Sequence, residues 1–436
     1  MLCLALVVVA GFLLFGPVGR YYAQWSVIRK IQAAALAEDY AEEFRQVSLL
    51  ADMGNPDGES GLGLMYWNGQ GVEKNEKLAV YWWGKAAERG KADAALWLSQ
   101  AYSQGKGVER NDQLALQYAR QSADKGNVNG QFALGVLYGQ GQGVAQNYER
   151  ALDWWRKAAD GGSVEAIYCI GRAYYLGEGV EKNDKLAEQW VRKAADKGEP
   201  NGQNLLGTLY ARGHGVEQDF NKAFEWWMKA ATRGQVDAQA AIGNAYALGS
   251  GVGKDDARAV VWYRKAAEQG YIPAQSALGS AYSTGKGVAR SDTEAVSWWL
   301  KAANQGDAFA QSSLGIAYWQ GAGVARSEVN AMQWWLKAAN QGNVAAQLWV
   351  AYCYANGRGV ARDSKAAQKM WLEVAKTGNA DAEFSLGQLY FLGALGKPDY
   401  PEAAKWFLKA AEHGNAQAKT YIEIMKQNGQ LDSKTL

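Results

Sequence analysis

The chain has 436 residues, with 46 Lys and Arg against 44 Asp and Glu, and a net charge of +2 with no long run of either sign gives no electrostatic footprint for nucleic acid. Apolar residues make up 48% and aromatics 12%, with 51 Gly, 19 Trp and 23 Tyr beside only 6 Pro, which excludes disordered and collagen-like chains. Two histidines and three cysteines are too few for a zinc site or a disulfide framework, and no cofactor is expected.

Residues 2–18 are apolar apart from Gly11, Gly16 and Pro17, and the first basic residue is Arg20. A run of about 17 to 20 such residues just spans a bilayer core. No basic residue precedes it and no A-x-A triplet follows it, so residues 1–19 read as an uncleaved membrane anchor in preference to a cleaved signal. Arg20, Arg29 and Lys30 would place the body on the cytoplasmic side, unless basic residues precede the assigned start; the side, cytoplasmic or periplasmic, stays open. Cys3 lies too early for a lipid-modification box. Cys169 and Cys353 occupy different repeat positions and are expected to be buried free thiols.

Residues 20–54 read as an N-terminal helical cap, with Glu42 to Gly54 in the phase of a second repeat helix and Val47 and Ala51 in its apolar columns. The body that follows, residues 55–414, is written in one period. Tyr66, Tyr102, Tyr138, Tyr174, Tyr210, Tyr246, Tyr282, Tyr318, Tyr354 and Tyr390 are each 36 residues apart, with no insertion or deletion. The Gly69, Gly71 and Gly54 columns keep step, failing only at Leu395, so length alone suggests three domains but the period predicts one solenoid.

Each unit predicts an antiparallel helix pair. In Asn343 to Gly378, Asn343 is an N-cap candidate, and Ala346, Val350, Ala351 and Tyr354 share one face of helix A. Gly357 and Gly359 form a tight turn; Asp363 caps helix B, whose stripe is Ala367, Met370, Trp371, Val374 and Ala375; Gly378 closes it. Ordering 36 residues costs on the order of 50 kcal/mol, more than two short helices offset alone, so neighbours must cover one another. The column Trp82, Tyr118, Trp154, Trp190, Trp226, Trp262, Trp298, Trp334, Met370, Trp406 gives each interface one large ring. Residues 415–436 form a C-terminal capping helix and tail, with Glu423 and Lys426 where the core Gly and Tyr would stand.

The spelling AQSALGSAYSTGKGVARSDTEAVSWWLKAANQG from Ala274 to Gly306 resembles the Sel-one-like repeat, a relative of the tetratricopeptide repeat, and ten tandem copies cover about four-fifths of the chain. The resemblance implies an all-α, right-handed α/α superhelical solenoid. It also implies adaptor work: a non-enzymatic scaffold, of the bacterial envelope in this style of repeat, that holds a protein partner, in a narrower version as an immunity protein neutralising a toxin. The alternative is recognition or remodelling of cell-wall glycan.

A partner would be read by columns that vary. The Trp67 column swings from Gly to Trp and the Leu64 column is equally free; by analogy with tetratricopeptide repeats they line the concave surface. Trp67, Tyr175, Trp319, Tyr352 and Phe391 are the candidate anchor rings, against the plainer reading that they cover neighbouring rings at the seams between repeats. Trp-Trp pairs such as Trp154 and Trp155 are expected in core or seam. The S-x-x-K matches at Ser103 and Ser283, K-T-G at Lys376 and GSGVGK at Gly249 all fall on repeat turns or helix ends without the partners that catalysis or phosphate binding requires. His214 and His413 read as solvent-facing turn residues. No catalytic or metal residue is expected.

Overall fold

Asn, Asp and Ser side chains start the helices and left-handed glycines end them, as their columns predict. In the second-helix column the cap accepts from the backbone N–H three residues on, from Asn75 with Leu78 (3.0 Å) to Asp399 with Glu402 (3.0 Å). Its own N–H donates to the Tyr carbonyl of the first helix, as from Asn147 to Tyr138 at 2.8 Å, which folds the two helices back on each other.

The structure, a computed structural model, describes residues 17–431. The expected apolar anchor falls almost wholly outside the described residues; among them no helix is long and apolar enough to cross a membrane. The described residues form 23 helices and no strand, and the chain divides into two compact units, 1–219 and 220–436.

The first unit holds α1 (Pro17–Leu36), α2 (Tyr40–Asp52), α3 (Pro56–Asn68), α4 (Glu76–Glu88), α5 (Ala92–Gln104), α6 (Asp112–Asp124), α7 (Val128–Gln140), α8 (Tyr148–Asp160), α9 (Val164–Leu176), α10 (Asp184–Asp196) and α11 (Pro200–Arg212). In the cap, α1 packs Ile31 against Val47 and Ala51 of α2. The second unit holds α12 (Phe220–Thr232), α13 (Val236–Leu248), α14 (Asp256–Glu268), α15 (Ile272–Thr284), α16 (Asp292–Asn304), α17 (Ala308–Gln320), α18 (Glu328–Ala339), α19 (Val344–Asn356), α20 (Ser364–Ala375), α21 (Ala380–Phe391), α22 (Tyr400–Glu412) and α23 (Ala416–Gln427). In α23, Glu423 and Lys426 are exposed, as a terminal helix requires.

The two residues of each Trp-Trp pair do different work. The first ring lies at the seam with the preceding repeat, half-buried as Trp82 is against Val47 and Ala51 or buried as Trp298 is, and the Lys three residues on caps it. This cation–π pairing recurs at Lys157, Lys193, Lys229, Lys265, Lys301, Lys337 and Lys409, with nitrogens 3.7 to 4.8 Å from the ring centres. The second ring fills the hairpin. Trp335 is fully buried, and a Cβ at Gly315 of the facing helix would lie 2.2 Å from its Nε1. At Gly315 the missing side chain leaves room for that ring, but the column is not strict, since Ala351 faces Trp371 in the ninth repeat and Gly171 faces Val191.

A second requirement sits in the turn. At Gly323 a Cβ would meet the carbonyl oxygen of Asp292, in the preceding repeat, at 2.2 Å. Repeats also join through buried amides: Gln311 donates to the Ala303 carbonyl (3.1 Å) and accepts from Gln341 (2.8 Å). The tenth repeat places Glu383 and His413 at the same positions, with the buried Glu383 carboxyl 2.8 Å from Nδ1 of His413. His413 is exposed at the end of its helix, as expected of a solvent-facing turn residue, and it also has a partner in Glu383. His214 likewise packs on Tyr175 with ring centres 5.8 Å apart, 3.9 Å from the Asp184 carboxylate.

Candidate functional site

Within each unit the first helices of successive repeats touch, as α5 with α7 and α17 with α19, more closely than successive second helices do. First helices therefore line the inner side of the stack, and their variable side chains form its exposed face. The five candidate rings distribute along this face unequally.

Trp67 is half-buried, 5.1 Å from Trp83, which lies 5.3 Å from Trp97. Tyr175 accepts a hydrogen bond from Arg212 at 3.1 Å. Phe391 stands apart, in a cluster with Tyr400, Phe407 and Tyr421 at 5.6 to 6.4 Å. Trp319 and Tyr352 come together, 6.1 Å apart, and a ring absent from the expected set joins them: Trp349 lies 5.7 Å from Trp319 and 5.8 Å from Tyr352. Trp349 in turn stacks on buried Trp335 at 4.9 Å and 7°. The sequence held a signal for it, since its column runs from Gly61 to Trp97 and Trp349, as freely as the Trp67 column. Trp349 also falls three residues before Tyr352, on one helix face.

These rings wall a groove of about 490 Å³ with Leu348, Asp381 and Ser385 on its margin and Trp371 in its floor. The exposed Tyr352 ring and the half-buried Trp319 and Trp349 are held by packing beneath them, so the platform is pre-formed. Arg326 sits over the Trp319 ring, 6.0 Å from its centre, and pairs with Glu328 (3.4 Å). A second groove of about 520 Å³ lies in the first unit between Trp97, Gln100, Phe132 and Val136.

Neither groove is lined by a thiol. Burial pushes the half-buried Cys169 up to about 12 and the buried Cys353 up to about 11, so both are protonated near neutral pH. Among the described residues no three His, Cys, Asp or Glu side chains gather closely enough to hold a metal ion.

The repeat that builds this face matches the Sel1 repeat in ten stretches, from 56–91 to 380–415. The chain belongs to the Sel1 repeat family. Among solved structures it is similar to a protective antigen of uropathogenic Escherichia coli with an SLR fold, at 34% identity over 91% of this chain and 85% of that one, TM-score 0.70. It is also similar to a Sel1 repeat protein of Oxalobacter formigenes, at 34% identity over 70% of this chain and 88% of that one, TM-score 0.52. An immunity protein of Pseudomonas aeruginosa matches at 20% identity over 49% of this chain and 81% of that one, TM-score 0.36. No curated protein matches the chain. Sel1 repeat solenoids are generally non-catalytic scaffolds for protein–protein contact, and the ten repeats here leave the variable first-helix columns free for it.

Proposed function

We propose that this Sel1 repeat protein is a membrane-anchored, non-enzymatic scaffold that binds a partner polypeptide along its first-helix face. The observation that carries the reading is the aromatic groove of Trp319, Trp349 and Tyr352. Its rings sit at variable positions, project into an open groove and rest on a buried layer, the arrangement of an interface anchor. Both 34%-identical structures are bacterial repeat proteins, which supports a bacterial source. The envelope location is supported by α1, where Tyr21, Tyr22 and Trp25 are exposed directly after the apolar run and Arg29 lies 3.8 Å over Trp25. Aromatic and basic residues at the end of an apolar segment suit a lipid headgroup layer. The toxin-neutralising version and the right-handed sense of the stack rest on the resemblance of the repeats.

Affinity capture with detergent-solubilised full-length protein tests the proposal. A stoichiometric polypeptide is expected with wild type and lost on Trp349→Ala. Capture of no polypeptide, or undiminished capture by the variant, overturns it. The glycan reading is favoured by Tyr352 standing beside the hydrogen-bonding Ser385 and Asp381, and retention on peptidoglycan without a polypeptide partner would select it.

A further inference from the structure

We propose that the groove of α17, α19 and α21 accepts a lysine or arginine side chain of the partner segment, its stem across Trp349 and Tyr352 and its cation at Asp381. This rests on the partner-binding reading and names the chemistry that the groove selects. Of the residues on its wall, Asp381 is the one ionised group. Its carboxylate is exposed and accepts a single side-chain hydrogen bond, from the Asn415 amide at 3.3 Å, and among the described residues no basic side chain pairs with it.

The repeat shows what this position can take: Asp57 in the first repeat forms an ion pair with Lys91, while Asp93 in the second is met by the Asn127 amide at 2.6 Å, as Asp381 is by Asn415. Asn415 occupies the Lys91 position in the tenth repeat, so the hydrogen bond survives there and the counter-charge does not. The rings tell the same story. Every Trp of the seam column carries its own lysine within 4.8 Å, whereas Trp349 and Tyr352 carry no cation of this chain among the described residues. Two aromatic faces and a carboxylate without a counter-ion thus converge on one groove, and a cation on an apolar stem satisfies all three. Arg326 lies over the Trp319 ring, 6.0 Å from its centre, and disfavours a second cation at that ring. Of the other charged groups, Glu328 pairs with both Arg326 and Arg358, and Glu383 meets His413.

The test uses full-length protein labelled with 5-fluorotryptophan, with the fluorine signals of Trp319 and Trp349 assigned by phenylalanine replacement. The probe is the peptide acetyl-Ala-Leu-Arg-Leu-Ala-amide, set against its neutral citrulline isostere and against chitotriose. The arginine peptide should shift the Trp349 signal saturably and bind about tenfold more tightly than the citrulline peptide, the sum of one cation–π contact and one half-exposed ion pair. Asp381→Asn should remove that preference. Asn415→Lys, which restores the internal pair of the first repeat and leaves the carboxylate in place, should do the same. Equal binding of the two peptides, binding of neither, or a shift with chitotriose alone overturns the proposal. If it falls while Trp349→Ala still abolishes partner capture, the scaffold reading stands and only the cationic specificity is lost.

Discussion

Replacing Gly315 with alanine introduces a methyl group 2.2 Å from Nε1 and 2.3 Å from Cδ1 of Trp335. The ring has nowhere to go: it is fully buried, stacked on Trp349, and its N–H donates to the Ser312 carbonyl at 3.2 Å. Overpacking of this kind costs about 1 to 3 kcal/mol. Alanine returns about 0.5 to 1 kcal/mol through its better helix propensity, so the net loss should be about 0 to 2.5 kcal/mol. Trp335→Ala alone should cost about 3 to 5 kcal/mol. In that background alanine at 315 meets no ring, and the substitution should become stabilising by about 0.5 to 1 kcal/mol. The coupling between the two sites is then about 2 kcal/mol. Urea unfolding followed by circular dichroism measures the total, and hydrogen exchange of peptides within residues 308–339 localises it, because stacked repeats open segment by segment. An equal cost of Gly315→Ala in both backgrounds would refute the reasoning, since the glycine would then answer to something other than the ring.

Three further outcomes are expected. Lys301→Gln removes a cation 3.8 Å above the Trp298 ring and should lower the unfolding free energy by about 0.5 to 1 kcal/mol; an unchanged urea midpoint would show the ladder to be energetically idle. Gln311→Leu deletes one of two donors to the Ala303 carbonyl, which keeps its bond from the Gly306 N–H (3.0 Å), and the acceptor for Gln341, and should cost about 0.5 to 1.5 kcal/mol in the same assay. In a Cys3→Ser variant, Cys169 and Cys353 should resist dithionitrobenzoate at pH 8 when folded and react fully in urea. Because folding raises both thiols from an ordinary 9.0 to about 12 and about 11, their protonated forms contribute stability below pH 9 that is lost as pH climbs through 11 to 12; rapid modification of the folded protein would contradict that burial.

Much of the fold was legible because its devices are local. A cap reaches three residues along the chain and a helix-ending glycine needs only a positive φ, as at Gly378 (75°), so period, caps and turns can be read from spacing alone. Cap residues outside the expected polar set still follow that chemistry: Glu199 and Gln235 cap first helices through their longer side chains. Leu395 shows the other side, since without the second turn glycine α21 ends one residue early and Gly396 takes the unusual φ of 145°.

The candidate site was legible only in outline. Trp319 and Tyr352 were expected from their variable columns; Trp349 stands in an equally variable column, and its part in the groove shows only once its ring stacks on Trp335. His413 read as an isolated turn residue because its partner Glu383 lies 30 residues earlier on the adjoining helix. The amino-acid order by itself determined the period, the hairpins and their ends, since each depends on neighbours a few bonds away. Only the stacking of helices decided which of two adjacent tryptophans is sealed and which is left to its lysine, and which rings and carboxylate meet in one groove. Those outcomes depend on the space between helices, which no single segment encodes.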